Sequence, residues 1–285
     1  MKRYFLAWLK ALRLFSFTIA FISCLLGIVL AYADGKFNLL NSILVLCAGM
    51  LLQAGVNLVN DFFEYKQGKL DNKVASLNFF GQDRSLLEWF IYFSGLMCFG
   101  ATIPIGLFLV YRTGLPLLWL GIVGFIGGYF YTGEPFNYKR RGFAFIFVFF
   151  LMGVFMIAGS YYAVAGDISV SVVFLSLPVS ALVSLLLLSN ELRDFEDDTR
   201  HGIKTLTVRI GYSNSVKLYI LTIAFAYLST LILYISGLVP HLFLIPFSLI
   251  ALIKPVTFLN KPREARRPLT PLTARFHLVF GCCLF

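Results

Sequence analysis

Two short stretches of the chain hold the residues best suited to chemistry. The first is "NLVNDFFEYKQGKLDN", residues 57–72, in which Asn57, Asp61 and Glu64 follow an i, i+4, i+7 spacing and Asn60 lies four before Glu64. The second is "LSNELRDFEDDTRHGIK", residues 188–204, in which Asn190, Asp194 and Asp198 are spaced by four and Glu191 and Asp197 flank them. On a helix each set shares one face. Carboxylates at a helix C-terminus oppose its dipole by about 0.3–1 kcal/mol each, and like charges four apart add to that. Bound divalent cations would offset both. Clustered carboxylate and amide oxygens suit a hard cation, and Mg²⁺ suits them best when it also bridges to a substrate phosphate. Lys66, Lys69, Lys139, Arg140, Arg193, Arg200 and Lys204 stand near the same ends and complete a clamp for a diphosphate. The plainer alternative is a pair of solvated ion pairs, Arg193 with Asp197 and Glu196 with Arg200. One cluster alone fits that alternative well; two matching clusters, each led by Asn, fit the cation site better.

The elements that must position these residues are membrane helices. Of 285 residues 59% are hydrophobic and only 13% charged, against about 25% charged in a soluble domain. This defines an all-α, polytopic transmembrane bundle in a single domain, residues 1–285. At about 20 apolar residues per crossing, eight spans are predicted, near 14–33, 38–60, 87–110, 114–131, 143–163, 168–189, 214–237 and 239–258. The tail "ARFHLVFGCCLF" is an incomplete ninth span or an interfacial segment. The lead "MKRYFLAWLKALRLF" has no small-residue cleavage site and reads as an interfacial approach to the first span, not a removable signal. If the N-terminus is cytoplasmic, Lys36 and Arg112 are the only basic residues in outside loops. The positive-inside rule thus accounts for the net charge of +10, and nucleic acid is not required as a partner. Both acidic stretches then open on the cytoplasmic side of a cell (inner) membrane. The five cysteines form no metal-binding spacing and read as packed or lipid-facing side chains. Gly127, Gly128, Gly153 and the "GMLLQAG" stretch read as helix-packing contacts. The three histidines receive no catalytic role.

The stretches "NLVNDFFEYKQG" and "NELRDFEDDTRHGIKTLTVRIG" resemble the two aspartate-rich motifs of the UbiA-type intramembrane aromatic prenyltransferases. The resemblance extends from "WLKALRLFSFTIAF" to "TARFHLVFG". The central "GYFYTGEPFNYKRRGFAFIFVFFLMGVFMIAGSYY" is most similar to the 1,4-dihydroxy-2-naphthoate prenyltransferases of menaquinone synthesis. The resemblance implies a nine-helix bundle around a cavity that opens laterally to lipid. It implies that Asn57, Asp61, Glu64, Asp194 and Asp198 hold two Mg²⁺ and, through them, a polyprenyl diphosphate. Lys139, Arg193 and Lys204 would contact phosphate oxygens, and Tyr131 would stand beside the reacting carbon. Asp61, Asp194 and Tyr131 are the implied catalytic residues. Glu64 departs from the usual Asp, and Phe145 stands where the naphthoate subgroup carries an acid.

The expected reaction is ionisation of an allylic diphosphate in a dry cavity and attack by an aromatic acceptor. The prenyl tail would lie in an aromatic-lined, Phe-rich chamber. Tyr131, Tyr161 and Tyr162 are candidates to stabilise positive charge through their ring faces, with plain packing the alternative for each. Other acceptors remain open, among them homogentisate, 4-hydroxybenzoate and a glycerol phosphate lipid. Outside this class stand a non-catalytic lipid-binding protein and a cation or phosphate-lipid transporter. A transporter would carry its polar ligands near mid-membrane, whereas here they sit at span ends.

Overall fold

Long apolar runs in a bilayer must satisfy their backbone internally, and helices do so within one segment. The computed structural model describes residues 2–64, 76–79 and 82–284, with side chains over 5–63 and 85–284. Lys66, Lys69 and the Glu64 side chain lie outside the described residues.

The first helix is α1 (Lys2–Leu12), which buries Ala11 and Leu12 and leaves Phe5 and Leu6 exposed. Arg13 then adopts a left-handed conformation, φ 50° and ψ 57°, and a 3₁₀ turn (Leu14–Ser16) leads into α2 (Phe17–Ala33). Next come α3 (Leu39–Glu64), α4 (Leu86–Thr113) and α5 (Leu115–Tyr129). Between α3 and α4 a short antiparallel pair forms, β1 (Ser76–Phe79) with β2 (Gln82–Ser85), Ser76 opposite Ser85. This pair is an exception to the all-α expectation. Ser85 also caps α4: its hydroxyl accepts from the Glu88 N–H at 3.3 Å, while Glu88 Oε2 accepts from the Ser85 N–H at 2.8 Å. The fifth expected span is α6 (Ala144–Val148) and α7 (Phe155–Ala165), joined by a π-helical stretch, Phe149–Val154. α8 (Val170–Arg200) is the longest helix; α9 (Leu206–Ile210), α10 (Tyr212–Ile235), α11 (Ile245–Leu259) and α12 (Leu269–Leu284) follow.

Six stretches among the described residues are long and apolar enough to cross a membrane: Phe5–Ala33, Leu39–Phe63, Leu86–Thr113, Ala144–Ala165, Val170–Arg200 and Tyr212–Ile235. The expected eight spans and ninth fragment are corrected to these six. The segments expected at 114–131 and 239–258 form α5 and α11, of 15 residues each. At 1.5 Å per residue each rises about 22 Å, short of the about 30 Å hydrocarbon core. The tail is not interfacial. It forms α12 and buries Thr273, Phe276, His277 and Phe280 within the bundle.

Lipid is as apolar as leucine, so close packing and hydrogen bonds hold such helices together. The glycines permit that approach. A Cβ on Gly127 would lie 2.4 Å from Leu151 Cδ1, and one on Gly153 2.4 Å from Ser180 Cβ. α8 runs through the centre, with Leu182, Leu185, Leu186, Leu188 and Leu192 buried. Its Ser184 hydroxyl donates to the Phe145 carbonyl at 2.9 Å, and Ser23 donates to the Met152 carbonyl of the π stretch at 2.9 Å.

Candidate active site

The ends of α3 and α8 open into one polar cavity of about 710 Å³, referred to below as the mouth. Asp61 from α3 and Asn190, Glu191, Asp194, Asp197 and Asp198 from α8 all line it, with Arg13, Lys139, Arg140 and Arg193. The two acidic stretches, about 130 residues apart in sequence, therefore share a single space.

Their side chains are committed differently. Asn57 is 5% exposed and lies deeper. Its Nδ2 donates to the Leu12 carbonyl at 2.6 Å and to Ser16 Oγ at 2.8 Å, while its Oδ1 accepts from Gln53 Nε2 at 3.2 Å. Asp61 stands at the rim, 4.0 Å from the Arg13 guanidinium. On α8, Arg193 holds Asp194 with two bonds, Nε to Oδ1 at 2.9 Å and Nη2 to Oδ2 at 2.6 Å. Arg193 also donates to Thr270 Oγ1 at 3.3 Å. Glu191, 2% exposed, accepts the Thr207 N–H at 3.1 Å and so ties the start of α9 to α8; its second oxygen has no hydrogen-bond partner. Glu196 pairs with Arg266, and Asp197 with Arg263 at 2.6 Å. Ion pairs between Arg193 and Asp197 and between Glu196 and Arg200 are replaced by these longer-range ones. Arginines thus supply part of the offset to a helix end loaded with acid, and Asp194 and Asp198 remain on the cavity side.

Lys139 reaches the mouth from the turn after α5, its Nζ 5.6 Å from the Tyr131 ring centroid. Burial, with Arg13 nearby, lowers its pKa to about 8. Tyr131 is buried, and desolvation with Glu191 beside it holds its hydroxyl well above the usual phenol range. Its ring meets Tyr138 edge-on at 5.6 Å, and the Tyr138 hydroxyl donates to the Gly127 carbonyl at 2.7 Å. Lys204 is exposed, outside the residues that line the mouth; its carbonyl accepts from Arg209 Nε at 2.9 Å.

Beyond Arg13, Phe15 and Asn190 the mouth narrows to a waist of about 60 Å³ lined by Asn57, Tyr131, Tyr138, Leu151 and Met152, among others. The π stretch supplies Leu151 and Met152; such insertions often mark functional sites. Leu52, Gly124, Leu151 and Met156 also line a third cavity, which adjoins the waist. This chamber of about 390 Å³ lies between α3, α4, α5 and α7. Its walls are glycine and aliphatic, with Phe125 and Phe155 the only phenylalanines among the described residues that line it. The Phe-rich chamber is corrected accordingly. One aromatic cluster, Phe62, Phe63, Trp89, Tyr92 and Tyr129, instead packs α3 against α4 and α5 beside the mouth. Tyr161 and Tyr162 are also reassigned. Their hydroxyls donate to Asp34 at 2.6 Å and to the Thr113 carbonyl at 2.9 Å, at the opposite end of the bundle.

The sequence reading missed Arg13, which lies at the junction of mouth and waist. It also missed Arg263 and Arg266, which hold the acids of α8. All three lay among basic residues attributed to orientation alone. The break in "KALRLFSF", where a basic residue interrupts an amphipathic run, was the one available signal for Arg13.

A bundle with a polar, acid-rich mouth at one end and an apolar chamber behind it has the architecture of an intramembrane lipid-modifying enzyme. Similar solved structures share the fold. A UbiA homolog from Archaeoglobus fulgidus bound to GPP and Mg²⁺ superposes with a TM-score of 0.61 at 16% identity, over 97% of this chain and 98% of that one. A digeranylgeranylglyceryl phosphate synthase superposes at 0.59 and 14% identity, over 99% and 97%. Residues 20–278 match the UbiA prenyltransferase family, and the chain belongs to it, as a membrane prenyltransferase. The 1,4-dihydroxy-2-naphthoate octaprenyltransferase of Bacillus subtilis (strain 168) is 29% identical over 229 residues, 80% of this chain and 74% of that protein. UbiA prenyltransferase domain-containing protein 1 of Dictyostelium discoideum is 26% identical over 282 residues, 95% and 83%.

Proposed function

We propose that this prenyltransferase moves a prenyl group from an allylic polyprenyl diphosphate to an electron-rich aromatic ring of the 1,4-dihydroxy-2-naphthoate kind, as in menaquinone synthesis. One observation carries the reading: a mouth lined with oxygen ligands and cations adjoins a tyrosine-edged waist, and the waist adjoins an apolar chamber. That is the shape and polarity of a charged head joined to a hydrocarbon tail.

Magnesium fits the donor set. Asp61, Asp194 and Asp198 line the mouth with the amide of Asn190, whose buried Oδ1 has no hydrogen-bond partner, whereas the Asn57 oxygen accepts from Gln53. Among the described residues no three His, Cys, Asp or Glu side chains form a metal cage. Such a set suits an ion that keeps its waters and completes its shell with substrate phosphate. Asp61 at the end of α3 and Asp194 with Asp198 at the end of α8 would hold it, with Glu64 added by the resemblance and Asn57 set behind them by its bonds to Gln53, Leu12 and Ser16. Magnesium bound there supplies Lewis-acid neutralisation of the departing diphosphate.

The chain's own groups do the rest. Arg13 and Lys139 place positive charge at the inner end of the mouth, where the bridging oxygen of the donor would lie. Tyr131 and Tyr138 edge the waist, where the allylic carbon would sit. Water is scarce there, and an aromatic face is worth on the order of 2 kcal/mol to a desolvated cation. The allylic C–O bond breaks with its electron pair leaving on the diphosphate. A ring carbon of the acceptor forms the new C–C bond, and with dihydroxynaphthoate the carboxylate departs as CO₂. The basic run 137–141 draws an acidic acceptor to the rim. By the charge of the loops, the mouth and the N-terminus face the cytoplasm.

The test is a transfer assay on membranes with labelled polyprenyl diphosphate and a panel of acceptors. Dihydroxynaphthoate should be labelled best, transfer should stop in EDTA and Mg²⁺ should restore it. Preference for another ring replaces the acceptor; transfer that ignores EDTA overturns the metal site.

A further inference from the structure

The acid-rich end of α8 is gripped by the segment before α12, at Leu192 and Glu196 on the side away from the mouth and at Asp197 on the mouth's lining. The short segment after α11, "KPREARRP", turns through a 3₁₀ helix (Arg263–Arg266) and enters α12. Arg266 is 2% exposed, unusual for an arginine. Its Nη1 donates to the Leu192 carbonyl at 3.1 Å, its Nη2 donates to Glu196, and its guanidinium lies 4.5 Å from the centroid of the Tyr212 ring. Arg263 Nη2 donates to Asp197 Oδ1 at 2.6 Å. Four residues on, Thr270 accepts from Arg193, whose other nitrogens hold Asp194.

Helix geometry gives these contacts a direction. At about 100° per residue, Leu192 and Glu196 lie on the side of α8 away from Asp194, about 160° and 200° around the axis. Asp198 is only about 40° from Asp194. Arg266 therefore grips the back of the helix while Asp194 and Asp198 face the mouth. Planar, forked donors fix orientation better than a single ammonium does.

We propose that Arg266 and Arg263 are positioning residues for the second acidic motif. They set the rotation of the last turns of α8, and through Arg193 and Thr270 they set the direction of Asp194. This rests on the proposed function, because it is magnesium diphosphate that Asp194 and Asp198 would meet. Supporting groups behind metal ligands typically contribute about 10–100-fold in metal affinity or activity.

The test uses the full-length protein in detergent, with geranyl diphosphate and Mn²⁺ as probes. Metal affinity is read by electron paramagnetic resonance and folding by thermal melting without metal. Arg266→Lys keeps the charge and loses the fork; it should stay folded and bind Mn²⁺ about 10–100-fold more weakly. Arg263→Asp should weaken binding less, and combining it with Asp197→Arg should restore affinity by reversing the pair. The exposed Arg267→Ala should match the parent. Unchanged Mn²⁺ affinity in folded Arg266→Lys overturns the proposal. Should Arg266→Lys unfold, the Arg263 series decides alone, and a reversed pair that fails to recover affinity overturns it. A parent protein that binds no Mn²⁺ with the diphosphate refutes the functional reading itself, a result distinct from equal binding by parent and variant.

Discussion

At the end of α3 an amide is the anchor and an acid is left at the rim: Asn57 is buried among Leu12, Ser16 and Gln53, and Asp61 faces Arg13. The end of α8 is organised the other way. Its acids are divided around the helix, with Glu196 taken by Arg266 behind, Asp197 by Arg263 at the mouth's edge, Glu191 by a backbone N–H, and Asp194 held by its neighbour Arg193. The two ends look alike as sequence, yet the first is tied to the N-terminal lead and the second to the segment before α12. Similar ligand sets are therefore supported by different parts of the chain, and damage to one support should leave the other intact.

Substitutions can break that contrast. The largest effect is expected where each end meets the cavity: Asp61→Ala or Asp194→Ala should lower prenyl transfer by about 10²–10³-fold with melting temperatures near the parent's. Equal activity in either would remove that end from the site. Gly124→Leu tests the space that both ends serve. A Cβ at Gly124 meets nothing within 4 Å, and the residue borders waist and chamber alike. Transfer of a long polyprenyl group should fall about tenfold relative to geranyl transfer. Asn57→Ala should act mainly on stability, costing about 1–3 kcal/mol because the buried Leu12 carbonyl loses a donor; thermal melting in detergent reads this. Lys139 gives a pH signature. Its pKa is lowered to about 8, so its charge is present below that value and fades as pH rises through it. The KM for the diphosphate should climb above about pH 8, and Lys139→Arg, which keeps its charge, should flatten the profile. The smallest effect belongs to Glu196→Gln, which keeps an acceptor for Arg266 and should change activity by no more than a few-fold.

Much of this was legible in the sequence, for identifiable reasons. Apolar length announced the long helices, and the four-residue spacing of Asn190, Asp194 and Asp198 placed them on one face before any coordinates. Packing glycines were legible because close helix approach leaves them few substitutes, as Gly153 against Ser180 shows. Partners distant in sequence were not. Nothing local to Glu196 says that it will meet Arg266 rather than Arg200, because tertiary packing decides between the two. The short helix α11 was overread as a span because hydropathy does not mark that the helix begins only after Leu244, and α5 because the apolar run continues past the helix end at Tyr129. Tyr161 and Tyr162 were assigned by type, but an aromatic residue's position along its helix decides whether it meets a substrate or a loop.

The narrow waist has a consequence for the host membrane. A protein hollowed by water from one side and open to hydrocarbon on the other would be a leak if the two spaces merged freely. At about 60 Å³ the constriction is the smallest of the three cavities, and Ile19, Val56, Val148, Leu151 and Met152 break up its polar lining. Vesicles carrying the protein should hold a proton gradient as long as empty ones.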